Sequence, residues 1–298
     1  MPVTLWRFVD GKAGHDAQSR GLAAALQERL ALDVFDIPVE KAGSGLRWWL
    51  TARYEPGREL PAPDLLLGAG HATHWHLLAA RRCRGGRAVV LMKPTLPLAC
   101  FDLCLVPQHD GRFAAPNVLS TRGVLNSITA GGAHDADTGL VLLGGPSRHY
   151  HWDDDAILSQ LGRLVQQRPL KRWMLGTSPR TPARLLQVLD ERYGMEITPW
   201  ESAPRNWLAD SLAAAGEAWV SEDSVSMVYE ALTAGARVGL LQVPRRRANR
   251  VTAGVDALVQ DQWVAAPGSR QLVAGPPQPL NEAQRCADWI RVHWLTNH

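Results

Sequence analysis

Long apolar runs are missing from this 298-residue chain. None approaches the roughly 20 residues a bilayer-spanning helix needs. The N-terminus, MPVTLWRFVDGKAGH, enters a strand-like stretch without the apolar core of a signal peptide, so the expectation is a soluble cytoplasmic protein. Cysteine is scarce: Cys83, Cys100, Cys104 and Cys286 form no CxxC pair and read as reduced, mostly buried thiols. Lysine is rarer still relative to arginine, 4 against 28, a bias that fits a G+C-rich genome. The net charge of +3 is spread over both halves, without the concentrated basic footprint of a nucleic-acid binder. No period of 20–50 residues recurs, which excludes a solenoid. Phe and Tyr number only 4 each, yet there are 12 Trp.

What is present is an ordinary globular composition, 46% hydrophobic and 20% charged, in a length that suits two domains. Short apolar runs alternate with helical patterns. Strands are expected at 4–10, 33–39, 64–70, 88–94 and 102–110, with a first helix over 16–30 whose apolar residues are Leu22, Leu26 and Leu30. The small, polar stretch TAGGAHDADT (129–138) reads as a linker. The pattern then restarts, with strands at 139–145, 171–177, 195–200, 217–223 and 237–243 and helices near 153–167, 181–193, 206–215 and 224–234. A Pro/Gly stretch precedes a last amphipathic helix over 281–294. Runs apolar on both faces suit covered parallel sheets. The expected class is α/β: two doubly wound Rossmann-like domains, residues 1–137 and 138–280, with a C-terminal helix, 281–298, crossing back to the first. In such folds ligands lie beyond the C-terminal strand ends, and with two domains the natural site is a cleft between them.

Three loops of the second domain suit an anion. In EAWVSEDSVSMVYEALTAG (217–235) a strand ends in Ser221-Glu222-Asp223-Ser224 and a helix begins at once, so unpaired N–H groups and the hydroxyls of Ser224 and Ser226 crowd a helix N-terminus. Glu230, nearly two turns further, suits two vicinal ribose hydroxyls; the spacing fits equally a simple N-cap and a surface glutamate. GGPSRHYHW (144–152) and GTSPRTP (176–182) follow the first two strands with small residues, a hydroxyl and an arginine, Arg148 or Arg180, able to fork onto phosphate oxygens. In the first domain DGKAGHDAQSRG (10–21) is Gly-rich but has neither the P-loop order nor the GxGxxG fingerprint. There His15 and Asp16 form an acid/base candidate, a carboxylate fixing the tautomer of an imidazole that titrates near neutrality. His109 and Asp110 end another strand of this domain.

Other clusters read more plainly. His71, His74 and His76 are spaced so as to spread around a helix, not to converge on a metal. Asp153, Asp154 and Asp155 suit a helix cap, and RRRANR (245–250) a solvated charge run. Trp48 and Trp49, between arginines in GLRWWLTARY, fit a peripheral membrane contact or, alternatively, buried packing.

These motifs together resemble the GT-B architecture of nucleotide-sugar glycosyltransferases, and in detail the peptidoglycan N-acetylglucosaminyltransferases that make lipid II, in which a Gly-rich loop ends in Gly-His, as Gly14-His15 does here, and a Glu before a small-residue run holds the donor ribose, as Glu230 before ALTAG would. Over nearly the whole chain the sequence is similar to the mitochondrial-fission Elm-type family. The residues that carry this likeness are DGKAGHDAQSRGL, VPQHD, NVLSTRG, VLLGGPSRHYHWD, TSPRTP, SEDSVSMVYEA and PLN at 279–281. His71 and Gln108 stand where that family more commonly has Arg and Glu. The resemblance implies a donor site of Gly144, Gly145, Ser147, Arg148, Ser178, Arg180, Ser224, Val225 and Ser226 around the diphosphate, with Glu230 on the ribose. It also implies an acceptor-side loop of Gly11, Lys12, Gly14 and His109. His15 is the expected base, with Asp16 and Asp110 next; no metal and no cofactor are expected, since helix dipole and basic side chains stabilise the leaving diphosphate. The partners implied are a nucleotide sugar and a glycan or lipid-linked acceptor, with no nucleic acid. A non-catalytic nucleotide-sugar or partner-binding module and a nucleotide-sugar 2-epimerase remain the alternatives.

Overall fold

The computed structural model describes residues 2–39, 42–111, 113–247, 250–278 and 280–295, without the side chains of 42, 43, 190–192 and 250. The chain divides into two compact units, residues 1–127 with 281–298, and residues 128–280. The first break comes at 127/128, not at 137/138. The Gly-rich stretch belongs to the second unit because its strand starts early: Asp135 already pairs with Ala215, Thr138 Oγ donates to the Asp135 carboxylate at 2.7 Å, and Gly132 lies so close to Ala213 that a Cβ there would strike its carbonyl.

In unit 1 the chain runs β1 (Val3–Val9), α1 (Ala13–Gln27), β2 (Leu32–Pro38), α2 (Ala42–Thr51), β3 (Leu65–Ala69), α3 (His74–Arg84), β4 (Arg87–Leu91), β5 (Leu103–Pro107) and β6 (Val118–Thr121). The sheet is parallel in the order β2-β1-β3-β4-β5-β6. Alternation along β1 sends Val3 and Leu5 to one face, where Leu22 and Leu26 of α1 meet them, and Trp6 and Phe8 to the other, against Leu77 and Tyr54. The final helix, Glu282–Trp294, joins this unit: it buries Cys286 and Ile290 beside α1, and Arg29 forks onto Asp288. Within PLN, Pro279 lies outside the described residues, whereas Leu280 is buried.

Unit 2 repeats the plan with β7 (Asp135–Leu142), α4 (Asp154–Gln167), β8 (Arg172–Gly176), α5 (Ala183–Arg192), β9 (Glu196–Thr198), α6 (Trp207–Ala214), β10 (Ala215–Ser221), α7 (Val225–Ala234), β11 (Arg237–Leu241), α8 (Arg250–Gln260) and β12 (Val264–Ala265), in the parallel order β12-β11-β10-β7-β8-β9. Because β7 stops at Leu142, Gly144 and Gly145 stand in a loop beyond the sheet. Among the described residues no helix is long and apolar enough to cross a membrane.

Candidate functional site

In unit 1 the turn from β1 into α1 builds a carboxylate–imidazole pair. Asp10, the residue after β1, is 2% exposed at its side chain. One carboxylate oxygen accepts the Lys12 N–H at 3.2 Å, and the other meets His15 Nδ1 at 2.8 Å, with the Lys12 ammonium at 3.5 Å. Burial pushes the Asp10 carboxyl up, but the hydrogen bond and charge of His15, with the Lys12 N–H and ammonium, outweigh it and hold the group below its ordinary value. The carboxylate accepts the proton of Nδ1, which fixes the tautomer and leaves Nε2 as the basic nitrogen. The ring lies on Gly70, one residue past β3. A Cβ on Gly70 would come within 2.2 Å of His15 Cε1, and the glycine φ of +82° disfavours a side chain independently.

The carboxylate that serves His15 is thus Asp10, not the adjacent Asp16. Asp16 is drawn the other way, onto the buried Arg7 at 2.5 Å and Arg20 at 2.6 Å, and Arg7 also forks onto Asp36 of the neighbouring strand. Both carboxylate oxygens of Asp16 are thus held by guanidinium groups. Asp110 and His109 sit in the turn after β5, which is separated from β1 by β3 and β4. At about 4.8 Å per strand this puts them roughly 14 Å from the His15 loop. Gly11, at φ +76°, and Gly14 border open space, so the loop backbone is accessible, and Gln18 donates to the Gly14 carbonyl at 3.3 Å. Lys12 is exposed.

In unit 2 the three anion-suited loops come together, largely by bonding to one another. Gly144 N–H donates to Ser221 Oγ at 2.7 Å and Gly145 N–H to Asp223 at 3.0 Å. Ser178 Oγ donates to the Gly144 carbonyl at 3.0 Å, and Arg180 reaches both the Gly145 carbonyl, at 2.8 Å, and Asp223, at 2.7 Å. Asp223, whose side chain is fully buried, is the hub, and Gly144 has to be glycine because a Cβ would lie 2.2 Å from its carboxylate. Gly144, Gly145, Ser178 and Arg180 therefore stitch the three loops together. Glu222 does the same on the other side, accepting the Val243 N–H at 3.1 Å and Arg245 at 2.8 Å; Arg245 also pairs with Asp256. That part of RRRANR is consequently a tie across strand ends, while Ala248 and Asn249 lie outside the described residues.

The groups facing outward are fewer. Ser147 accepts the N–H of His149 and of Tyr150, both at 3.2 Å, which leaves its hydroxyl proton to give; Arg148 is exposed, with Nε against His149. Ser224 opens α7 without a side-chain cap bond, so the first N–H groups, at Val225 and Ser226, have no cap from it, and Ser226 is exposed. Six residues on, about 9 Å along the axis, stands Glu230. It is half-buried and has no hydrogen-bond or ion-pair partner among the described residues, and burial pushes its carboxyl up to about 7. A half-buried carboxyl without a protein partner among the described residues, a short way behind a helix N-terminus, is the residue type expected where a ligand supplies the missing donors.

The remaining clusters are structural. His74 meets Thr95 at 3.2 Å, and burial lowers its pKa to about 4; His76 lies near Ser44 and Tyr54. Asp153 caps α4, accepting from the N–H groups of Asp155 and Ala156. Trp48 turns inward, its ring 5.3 Å from both Tyr54 and His76, and Trp49 lies 5.6 Å from Trp75. Sequence reasoning missed Asp10, Gly70 and the hub role of Asp223. Asp10 was visible only as the strand's last residue, five positions before His15.

The whole chain is similar in structure to MurG of Acinetobacter baumannii (TM-score 0.57, 14% identity, covering 98% of this chain and 100% of that one). It is also similar to a glycosyltransferase of Rickettsia africae ESF-5 (0.52, 9%, 98% and 93%) and to the UDP-GlcNAc 2-epimerase of Methanocaldococcus jannaschii in complex with UDP-GlcNAc and UDP (0.50, 10%, 98% and 99%). These likenesses show a GT-B-like fold, the kind found in nucleotide-sugar proteins. Residues 13–294 match the family described as Mitochondrial fission ELM1, and the chain belongs to that family.

Proposed function

We propose that this protein is a glycosyltransferase that moves a sugar from a nucleoside-diphosphate sugar to the hydroxyl of a glycan or lipid-linked acceptor. The observation that carries the reading is the Asp10–His15 pair, held on Gly70 with Nε2 making no hydrogen bond among the described residues. His15 Nε2 takes the acceptor proton as the acceptor oxygen attacks the anomeric carbon; the bond from that carbon to the diphosphate oxygen breaks, and the nucleoside diphosphate leaves. The leaving charge is met by the first N–H groups of α7, Ser226, Ser147 and Arg148, and the ribose hydroxyls donate to Glu230. Of the carboxylates nearest these groups, Glu222 is taken by Arg245, and Asp223 gives one oxygen to Arg180 and the Gly145 N–H while its other is shut off from solvent without a hydrogen-bond partner among the described residues. Charge stabilisation therefore falls to dipole and arginine, and turnover is expected to survive chelation.

A nucleotide-sugar 2-epimerase is the second reading, favoured by the likeness to a solved epimerase. One experiment separates the readings. UDP-, GDP-, ADP- and CDP-sugars are screened by thermal shift, where a ligand at about 100 Kd adds roughly 2.7 kcal/mol. The binder is then followed by NMR. Release of nucleoside diphosphate that depends on acceptor supports transfer, an altered sugar without acceptor supports epimerisation, and binding without change supports a non-catalytic module. If no nucleotide sugar binds, all three readings fail. For the membrane contact, the inward packing of Trp48 and Trp49 moves our proposal to Leu46 and Leu50 on the same helix, 37% and 64% exposed beside the exposed Arg47.

A further inference from the structure

Unit 2 also contains a pocket of about 250 Å³ that none of the roles above uses. It runs along α4, over the sheet face at Trp219 and Leu241, and under the turn at Gly268–Arg270. Its walls are pinned. Gln160 of α4 and Gln242 after β11 exchange two hydrogen bonds, at 2.9 and 2.7 Å, and Arg168 at the end of α4 donates to the Arg270 carbonyl at 3.2 Å. The floor is equally fixed: the Trp219 ring fills the space left by Gly239, where a Cβ would lie 2.6 Å from it, and its indole N–H donates to Glu217 at 3.1 Å. Buried Glu217 in turn takes the Arg168 guanidinium through two hydrogen bonds.

Gln160, Arg163 and Gln167 are three, four and seven residues apart, which puts them on one face of α4 and together on this pocket. No acid lines it, and Glu217 offsets only Arg168. Among the described residues, the guanidinium groups of Arg163 and Arg270 have no carboxylate partner. The side-chain donors of Gln160, Trp219 and Arg168 are spent on protein partners, so the charge left over on the pinned walls is that of the exposed Arg163 and Arg270 guanidinium groups. Such a lining fits a small anion with many acceptor oxygens. We propose that this pocket, on the α4 face of the sheet, is a binding site for a phosphate or diphosphate group, free or borne by a metabolite, separate from the N-terminus of α7. One end of the pocket lies at Arg168, bonded to Glu217 near the start of β10, and the other reaches Gln242 just past β11, with α4 covering both.

The test is titration of the full chain with inorganic phosphate and inorganic pyrophosphate, followed through the ¹⁵N-indole resonance of Trp219, assigned with Trp219→Phe. The expected result is a saturable shift that weakens by roughly tenfold or more in the Arg163→Ala/Arg270→Ala double variant. It should weaken likewise in Arg163→Gln/Arg270→Gln, whose exposed side chains leave the rest of the spectrum in place, and stay unchanged in Arg148→Ala/Ser226→Ala. A phosphorylated metabolite that competes with pyrophosphate for the same resonance identifies a borne group, and the lack of any such competitor leaves the free ion as the ligand. The proposal is overturned if the Trp219 resonance shows no saturable shift, or if the double arginine variants titrate like wild type. Because the readout excludes the nucleotide-sugar loops, loss of donor binding in the strand-end variants would not mimic either result.

Discussion

Glu230→Gln perturbs a single atom type and has a calculable consequence. The Glu230 carboxyl has no partner among the described residues, and burial pushes its pKa from 4.5 to about 7. Below pH 4.5 the folded and unfolded chains both hold the proton. Between 4.5 and 7 the unfolded chain releases it while the fold keeps it, so stability falls as pH rises, and the loss is complete above about 7. At about 1.36 kcal/mol for each pH unit of that interval, full burial would cost roughly 3 kcal/mol, and water reaching a half-buried carboxyl reduces this towards 1–2 kcal/mol. Glutamine has nearly the same shape and does not titrate. The variant should therefore match wild type at pH 4.5 and be more stable by about 1–3 kcal/mol at pH 8, a rise of several degrees in the melting temperature of a unit of this size. Urea denaturation at the two pH values measures it. The same substitution should weaken nucleotide binding, and wild-type affinity should climb between pH 6 and 8 as the carboxylate forms. An equal effect at both pH values, or a less stable variant at pH 8, would show instead that Glu230 has a native partner.

Further expectations follow from the same geometry. Asp10→Asn removes the acceptor that fixes the His15 tautomer and should lower turnover by roughly 10²-fold or more while donor affinity, measured by calorimetry, holds. Gly70→Ala places a Cβ against the His15 ring at a left-handed φ and should cost about 1–3 kcal/mol in thermal denaturation, along with activity. Asp223→Ala leaves the Gly145 N–H unpaired and Arg180 without its carboxylate, though still bonded to the Gly145 carbonyl; since Arg180 is also partly exposed, the cost should be about 2–3 kcal/mol by urea unfolding, below that of a fully buried pair. On anionic vesicles, Leu46→Ser/Leu50→Ser should abolish flotation seen with wild type; equal flotation, or none by wild type, removes the membrane contact.

Strands β1–β5 and β7–β11 were legible because parallel strands in a covered sheet leave apolar runs, whereas the short edge strands β6 and β12 and the helices α2, α3 and α8 were not read. The helix 224–234 and the capping run at Asp153 were readable from local chemistry alone. Harder to read were features that depend on pairing across the fold. Asp16 looks like the partner of His15 because it is adjacent, yet helix geometry turns it towards Arg7 and Arg20 and leaves His15 to Asp10. Likewise, Ser178 and Arg180 have the chemistry of phosphate ligands, and only the structure shows Gly144, Gly145 and Asp223 occupying them. Arg245 reads as part of a solvated run until Glu222 and Asp256 are placed beside it. The unit boundary falls ten residues earlier for a related reason: small polar residues signal a linker, but the pairing of β7 with β10 from Asp135 onward draws the end of that stretch into the sheet.

The most direct test of the account is the release of nucleoside diphosphate by wild type and His15→Ala, in the presence of acceptor, with both proteins saturated by the donor found in the thermal screen. Equal donor occupancy and a loss of turnover in the variant, roughly 10²-fold or more, are expected. Turnover that survives in His15→Ala at full occupancy would contradict the assignment of His15 as the base.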